Sequence, residues 1–249
     1  MKQRAIVPLR SGYDMKTYCV VLPVFNNAAT VEHVIRRILC QTSDLLVIDD
    51  GSTDLDLPAL CKRWNVECVR HEINRGKGAA LRTALQILQK RPYDYMITLD
   101  ADGQHFPEDI PAFLPLMEQD GALIIGSRNF NDPNVPQASR VGRSFSNFVI
   151  KWETGIRLED TQSGFRAYPL KHIAHLPIKA DHYNFETEIL LRAAWANLPL
   201  INLPVRTFYP PQKERVSHFR PWYDTVRICM THIRLLFSLL LAWCSCSGD

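Results

Sequence analysis

The feature that most constrains the fold is a regular alternation of short apolar runs with helical patterns between residues 18 and 99. The first unit combines a β-rich run, Tyr18 to Val24, with apolar residues at helical spacing from Val31 to Leu39. Further strands are predicted at 45–49, 66–69 and 95–99, and helices at 57–64 and 79–90. Such alternation predicts an α/β fold, with a mostly parallel sheet covered by helices.

Beyond residue 100 the pattern is less regular. It predicts strands at 123–126 and 200–207 and helices near 141–152 and 185–196. Residues 224–246 read as a C-terminal amphipathic helix with one polar stripe, whose uninterrupted apolar part, 235–241, is shorter than the ~20 residues of a membrane span. Two interpretations stay open for this helix: it lies in the membrane interface, or it packs on the domain.

Composition narrows the class of protein. The 249 residues are 46% hydrophobic and 22% charged, which excludes a disordered chain and a polytopic membrane protein. The net charge of +3 resides in residues 201–249, which suggests an anionic partner such as phosphate or a membrane surface, or simply a solvated basic face. Nucleic acid is not expected as a partner, because the basic footprint is weak. Seven cysteines without a C-x-x-C pair, and an N-terminus without an apolar signal region, favour the cytoplasm.

Polar clusters follow three of the predicted strands, at 26–27, 49–54 and 100–104. In parallel sheets such strand ends gather the functional loops. Asp100 and Asp102 can meet at one hard cation, with Gln104 as a third oxygen ligand, and Mg²⁺ or Mn²⁺ suits these donors. A calcium-binding EF-hand is excluded because His105 and Pro111 occupy its required glycine and glutamate positions. A solvated turn remains the alternative.

The segment from Asn74 to Ala80 is a second candidate site. Its glycines permit close backbone approach, and Lys77 could meet a phosphate at a helix N-terminus. It does not match a Walker or dinucleotide fingerprint, which would require glycine at His71 or at Leu81, respectively. A plain helix-entry turn is therefore an equal alternative.

Six short segments follow one another in order along the chain: LPVFN at 22–26, DDGSTD at 49–54, NRGKG at 74–78, DADGQ at 100–104, GSR at 126–128 and SGFR at 163–166. Together they resemble the family 2 glycosyltransferases with a GT-A fold. The resemblance is closest to the dolichol-phosphate mannosyltransferase-like branch, which glycosylates polyprenyl phosphates. The resemblance spans Tyr18 to Ser217. It implies an N-terminal extension at 1–17, one Rossmann-like transferase domain at 18–223 and the C-terminal helix at 224–249.

This resemblance implies a donor site and a metal site. The implied donor-binding residues are Pro23, Phe25, Asn27, Ile48, Asp50, Lys77, Asp100 and Ala101. Asp100, Asp102 and Gln104 would hold Mg²⁺ or Mn²⁺ against the donor diphosphate, and Asp102 would be essential for catalysis. A divalent ion stabilises the charge that develops on the departing nucleoside diphosphate. Asn27 departs from the family pattern, because an acidic residue usually ends the first motif.

The resemblance also implies an acceptor site. Its residues would be Arg128, Arg143, Ser144 and Arg166, since arginine suits phosphate through its bidentate fork. Asp160 and Glu188 are candidate general bases for a hydroxyl acceptor, whereas a phosphate acceptor is already anionic and needs no base. Structural ion pairing of these carboxylates with Arg166 or Arg192 is the alternative.

A last candidate residue is Arg215, which could close over the diphosphate. The usual R-x-x-G-x-S-K loop is represented here only by Glu214 to Phe219, which is shorter and has histidine for lysine.

The sequence thus predicts an inverting, metal-dependent glycosyltransferase that uses a UDP- or GDP-sugar and a polyprenyl phosphate at the cytoplasmic membrane face. The alternatives are a hydroxyl acceptor on a glycan or lipid, and a non-catalytic protein that binds a nucleotide sugar or a metal at the membrane. A sugar nucleotidyltransferase is disfavoured, because no glycine-rich start follows the first strand.

Overall fold

The computed structural model describes residues 16–130, 135–209 and 220–246. Within these residues, seven strands form one sheet in the order β3-β2-β1-β4-β6-β5-β7. The strands are β1 Tyr18–Val24, β2 Leu45–Asp49, β3 Glu67–Arg70, β4 Tyr95–Thr98, β5 Leu123–Arg128, β6 Arg166–Pro169 and β7 Leu200–Val205. Only β6 runs antiparallel to its neighbours, β4 and β5, so the prediction of a mostly parallel sheet is confirmed.

The helices cover the two faces of this sheet. They are α1 Val31–Leu39, α2 Leu57–Arg63, α3 Lys77–Leu88, α4 Ile110–Met117, α5 Gln137–Thr154, α6 Leu170–Ile173, α7 Phe185–Trp195 and α8 Pro221–Cys246. The predicted strands at 18–24 and 45–49 and the predicted helix at 31–39 have the observed bounds, and the other predicted elements differ only at their ends. Sequence reasoning missed β6, α4 and α6.

The core has two halves, one on each face of the sheet. Val20 and Leu22 of β1 pack with α1 and α2, whereas Cys19 and Val21 pack with α3 and α7. This division follows from the alternation of side chains along a strand. Because both faces are covered, the central strands are nearly continuous apolar runs.

The loop after β4 is fixed to the start of α1. Thr30 precedes α1, and its hydroxyl does not cap the helix but donates a 2.6 Å hydrogen bond to the carbonyl oxygen of Ala101. α1 itself is held by its apolar face, since Val31, Ile35 and Ile38 are fully buried. A well-packed helix therefore positions the loop that carries Asp100 and Asp102.

The C-terminal helix α8 is confirmed and packs on α7. The predicted domain boundary at 224 falls within its first turn. The Arg234 guanidinium contacts the Glu188 carboxylate of α7 at 2.9 Å, and Asn184 donates a hydrogen bond to the Thr231 hydroxyl at 2.9 Å. In the part of the chain that the structure describes, no helix has the length and apolar character needed to cross a membrane.

Candidate active site

A cavity of about 510 Å³ lies at the carboxyl ends of β1, β2 and β4. The residues that precede α7 and the first turn of α8 form its other walls. The structure brings together here nine of the residues predicted for donor and metal: Pro23, Phe25, Asn27, Asp50, Lys77, Asp100, Ala101, Asp102 and Gln104. Ile48 is the exception, because its side chain is fully buried in the core below the cavity.

Asp50 ties the end of β2 to the turn before α3. Its carboxylate accepts hydrogen bonds from the backbone N–H groups of Arg75 at 3.0 Å and Gly76 at 2.8 Å, and it contacts His71 Nδ1 at 2.7 Å. Gly76 has φ of 96°, and a Cβ atom there would collide with the His182 ring. A carboxylate has about four acceptor positions. The described contacts of Asp50 use three of them, and the residue lines the cavity.

Lys77, the first residue of α3, bridges two carboxylates. Its Nζ lies 2.6 Å from Asp100 Oδ1 and 2.7 Å from Glu186 Oε1. Burial works to lower the pKa of Lys77, but the charges of Asp100 and Glu186 outweigh burial and raise this pKa above its ordinary value. Lys77 is thus a permanent cation at the floor of the cavity.

Sequence reasoning missed Glu186 and selected Glu188 from the same helix. Both lie in the first turn of α7, and only the three-dimensional contacts distinguish them. The Glu186 side chain is 7% exposed, and its Oε2 atom has no hydrogen-bond partner among the described residues. Glu186 therefore belongs to the charge network of Lys77 and Asp100 at this cavity.

Asp102 lies in the same loop as Asp100, and its ionised form is disfavoured there. Burial, together with the Asp100 charge, raises the pKa of Asp102 to about 6. Its Oδ1 accepts a 2.9 Å hydrogen bond from the Gln104 backbone N–H. Burial also works to raise the pKa of Asp100, but the charge and hydrogen bond of Lys77, together with His105 and Arg128, outweigh burial and lower this pKa.

The two carboxylates and the Gln104 amide fit a hard divalent cation. All three side chains line one cavity, and oxygen donors of this kind are typical ligands of Mg²⁺ and Mn²⁺. The described residues contain no cluster of three His, Cys, Asp or Glu side chains arranged for a metal. A cation here would therefore take its remaining ligands from water or from donor oxygens.

A second concave surface, which we call the basic groove, has a volume of about 690 Å³. Its walls include Arg128, Arg143, Ser144, Lys151 and Arg157. Three of the four predicted acceptor residues, Arg128, Arg143 and Ser144, therefore meet in one place. The Arg128 charge also makes a small contribution to the lowered pKa of Asp100, which lines the first cavity.

The fourth predicted acceptor residue, Arg166, lies elsewhere. Its side chain is fully buried, and its guanidinium donates hydrogen bonds to the carbonyl oxygens of Ser163 at 2.7 Å, Thr161 at 2.8 Å and Glu186 at 2.9 Å. All its described partners are backbone oxygens, which satisfies a buried charge without an ion pair. Arg166 therefore organises the loop before β6 and does not reach the groove.

The two candidate bases are both engaged in structural contacts. Asp160 is fully buried and binds Arg128 in a bidentate pair, with Nε 2.6 Å from Oδ2 and Nη2 3.0 Å from Oδ1. Glu188 is also fully buried and accepts from two backbone N–H groups and from Arg192. The predicted alternative, ion pairing, describes both carboxylates, although the partner of Asp160 is Arg128. Arg215 lies outside the described residues.

Comparison with known proteins places the chain in a family. The family described as "Glycosyl transferase family 2" matches residues 19–174. The UDP-N-acetylglucosamine--dolichyl-phosphate N-acetylglucosaminyltransferase of Methanococcus voltae is 28% identical over 217 residues, 78% of this chain and 86% of that protein. The polyprenol monophosphomannose synthase of Mycolicibacterium smegmatis is 25% identical over 203 residues, 75% of each chain.

The fold also matches solved structures. Glucosyl-3-phosphoglycerate synthase from Mycobacterium tuberculosis in complex with Mg²⁺ and UDP has a TM-score of 0.64 and 25% identity, over 90% of this chain and 79% of that chain. Fold and site together define a glycosyltransferase of the GT-A type. The chain belongs to glycosyl transferase family 2. The alternatives of a nucleotidyltransferase and of a non-catalytic binding protein are therefore set aside.

Proposed function

We propose that this enzyme transfers a sugar, with inversion, from a UDP- or GDP-sugar to the phosphate of a polyprenyl lipid at the cytoplasmic membrane face. The observation that carries the proposal is the combination of a basic groove with two candidate bases that are already paired. A hydroxyl acceptor needs a base to remove its proton, whereas a phosphate oxygen is anionic at neutral pH. The relatives named for dolichyl phosphate and polyprenol monophosphomannose support the same acceptor class.

On the acceptor side, Arg143 is the residue best placed to bind phosphate. Arg128 is already held by Asp160. Among the described residues, the Arg143 guanidinium makes one hydrogen bond, of 3.2 Å, to the Glu159 carbonyl oxygen, and it stacks 3.7 Å from the Phe130 ring centroid. Stacking fixes the plane of a guanidinium and leaves donors free for a bidentate contact. Arg128 then adds positive charge from the wall of the groove, beside Ser144.

On the donor side, Asp50 and Asn27 line the end where a nucleoside would bind, and Lys77 lies where a diphosphate would approach α3. Asp100, Asp102 and Gln104 are the residues that would hold Mg²⁺ or Mn²⁺. When bound, this ion would neutralise charge that develops on the leaving nucleoside diphosphate. Lys77 supplies a fixed positive charge to the same place, because Glu186 and Asp100 keep its ammonium protonated and oriented. We retain Arg215 as a proposed contact to the diphosphate.

Three acceptors distinguish the proposal from its alternatives. The purified full chain is incubated with Mn²⁺, a radiolabelled UDP- or GDP-sugar and one of three acceptors. The acceptors are polyprenyl phosphate, polyprenol and phosphoglyceric acid. We expect label in the organic phase with polyprenyl phosphate alone, and mild acid should release it. Acid-stable lipid label from polyprenol would support the hydroxyl alternative and contradict the proposal. Water-soluble product would instead favour a soluble phosphorylated acceptor, such as the phosphoglyceric acid bound in a structural neighbour that is 25% identical.

A further inference from the structure

The helix α8 packs on the domain through its polar stripe. Asp224 and Thr231 are 5% and 4% exposed, and Arg234 reaches the buried Glu188 carboxylate. Opposite this stripe, large apolar side chains are 44–84% exposed at intervals of three or four residues: Trp222, Val226, Met230, Ile233 and Phe237. Amphipathic helices normally bury their apolar stripe against the core. α8 presents its apolar stripe to the outside instead.

The helix α5 has the same arrangement. Among its described apolar side chains, Ile150 is the one that is almost fully buried. On the opposite side of α5, four large apolar side chains are 60–72% exposed at intervals of four, three and four residues: Val141, Phe145, Phe148 and Trp152. Within the described ranges, all but two of the exposed large apolar side chains lie on α5 or α8, and the exceptions are Ile73 and Phe208. A concentration of this kind marks an interaction surface.

Both helices belong to the same layer of the molecule. Each packs on α7, and Ile150 and Leu235 join the core half on the α7 side of the sheet. A 2.7 Å contact between Glu153 Oε2 of α5 and His232 Nδ1 of α8 links them directly. Because each apolar stripe lies opposite its helix's buried residues, both stripes point away from the sheet. We call these nine residues, listed above for α8 and α5, the docking face.

The exposed charges on the two helices of the docking face have one sign. The acidic side chains of the two helices, Asp224 and Glu153, are buried. The basic side chains that reach solvent are Arg140, Arg143, Lys151, Arg227 and Arg234. A second copy of the chain would bring like charges together if it docked through this face, whereas an anionic lipid surface would be attracted.

The docking face is also continuous with the basic groove. Phe148 belongs to the apolar stripe of α5 and lines the groove, and Lys151, one helical turn further on, lines it as well. A phosphate at the level of lipid headgroups could therefore enter the groove from the side that carries the apolar stripes. Aromatic and basic side chains in this arrangement are typical of helices that lie in the membrane interface.

We propose that α5 and α8 together form the surface by which this enzyme lies on an anionic bilayer, with the apolar side chains of the docking face inserted at headgroup depth. The inference rests on the proposed function, because it presents the basic groove to a phosphate in the bilayer. The inference assigns part of the membrane contact to α5, a helix within the catalytic domain.

Vesicle sedimentation of the full chain tests this surface. The vesicles are phosphatidylcholine alone, or phosphatidylcholine with phosphatidylglycerol, at low and high salt. The α5 variant is F145Q/W152Q and the α8 variant is M230Q/F237Q, since glutamine keeps helix propensity and none of these residues lines either cavity. I73Q removes a 71% exposed apolar side chain outside the docking face and is the matched control.

We expect the wild type to bind anionic vesicles, and to bind them more weakly at high salt. The vesicle partition coefficient of each double variant should fall on the order of tenfold or more, because burial of one aromatic side chain contributes about that factor. I73Q should bind like the wild type, and thermal melts should show that the variants fold. Wild-type binding by both double variants would overturn the inference. The inference would also be overturned if the wild type does not bind vesicles but forms a dimer that the same substitutions disrupt.

A second readout separates this inference from the proposed function. Transfer to a short-chain, water-soluble polyprenyl phosphate should be retained in both double variants, whereas transfer to a long-chain acceptor in vesicles should fall. No transfer to the short-chain acceptor by the wild type would refute the proposed function. Equal transfer from vesicles by the wild type and both variants would refute the docking face alone.

Discussion

Substitution of Asp102 by asparagine should stabilise the metal-free protein while it abolishes transfer. The ionised Asp102 carboxylate is disfavoured in the folded state, because burial and the Asp100 charge raise its pKa from 3.8 to about 6. Each pKa unit corresponds to about 1.4 kcal/mol, so the upper limit is about 3 kcal/mol. Solvent reaches this partly buried side chain and screens part of the effect. We expect D102N to raise the free energy of unfolding by about 1–2 kcal/mol at pH 7.5.

The pH dependence follows from the direction of the shift. Because the folded-state pKa of Asp102 exceeds its unfolded-state value, the folded protein binds more protons between about pH 4 and pH 6. The free energy of unfolding of the wild type therefore falls as the pH rises through that window, because the buried carboxyl must ionise. D102N has no carboxyl at this position and does not show this fall. Below about pH 4 the carboxyl is protonated in both states, and the difference between the two proteins should vanish.

Urea unfolding in EDTA at several pH values measures this difference. The asparagine introduced by D102N can still accept the Gln104 N–H through its side-chain oxygen, so the local turn is preserved. D120N, at a side chain that is 79% exposed, is the matched control and should change stability by less than about 0.5 kcal/mol. Saturating Mn²⁺ with UDP should reverse the order, since binding at 100 times Kd adds about 2.7 kcal/mol to the wild type alone. Lower stability of D102N in EDTA at pH 7.5 would refute the reasoning.

Three further substitutions test separate parts of the site. G76A should destabilise the fold by at least about 1–3 kcal/mol, because the backbone is in a region that only glycine readily adopts; an unchanged melting temperature would contradict this. R143Q should raise the KM for polyprenyl phosphate about tenfold or more with kcat little changed. K62Q, at an exposed lysine on α2, is the control and should leave both constants unaltered. E188Q should lower the free energy of unfolding by about 3 kcal/mol, because Arg192 loses its buried partner, while the folded fraction should keep its kcat. A selective loss of kcat would instead indicate that Glu188 acts as a base.

The sequence predicts the first half of the fold well because its periodicity is local. From Tyr18 to Thr98, β1, β2 and β4 are predominantly apolar runs and the helices show apolar residues at helical spacing, so these elements can be located without tertiary information. The missed strand β6 has four residues that begin with Arg166 and end with Pro169, and no strand pattern identifies it. Its position between β4 and β5 is a property of the assembled sheet.

The site shows the same division between local and tertiary information. The motifs at the strand ends identified Asp50, Asp100 and Asp102, because parallel strands deliver their loops to one edge. The choice between Glu186 and Glu188 depended on which face of α7 meets Lys77, and one sequence does not contain that contact. The direction in which α8 presents its stripes depended in the same way on its docking to α7.

The most direct test of the central claim is the mass of the lipid product. Defined polyprenyl phosphate, Mn²⁺ and a panel of UDP- and GDP-sugars are incubated with the purified enzyme, and lipid and nucleotide are quantified together. The account predicts a lipid heavier by one sugar residue, formed in equal amount to the released nucleoside diphosphate. Release of nucleoside diphosphate without a glycosylated lipid, or a sugar attached to polyprenol and not to polyprenyl phosphate, would contradict it.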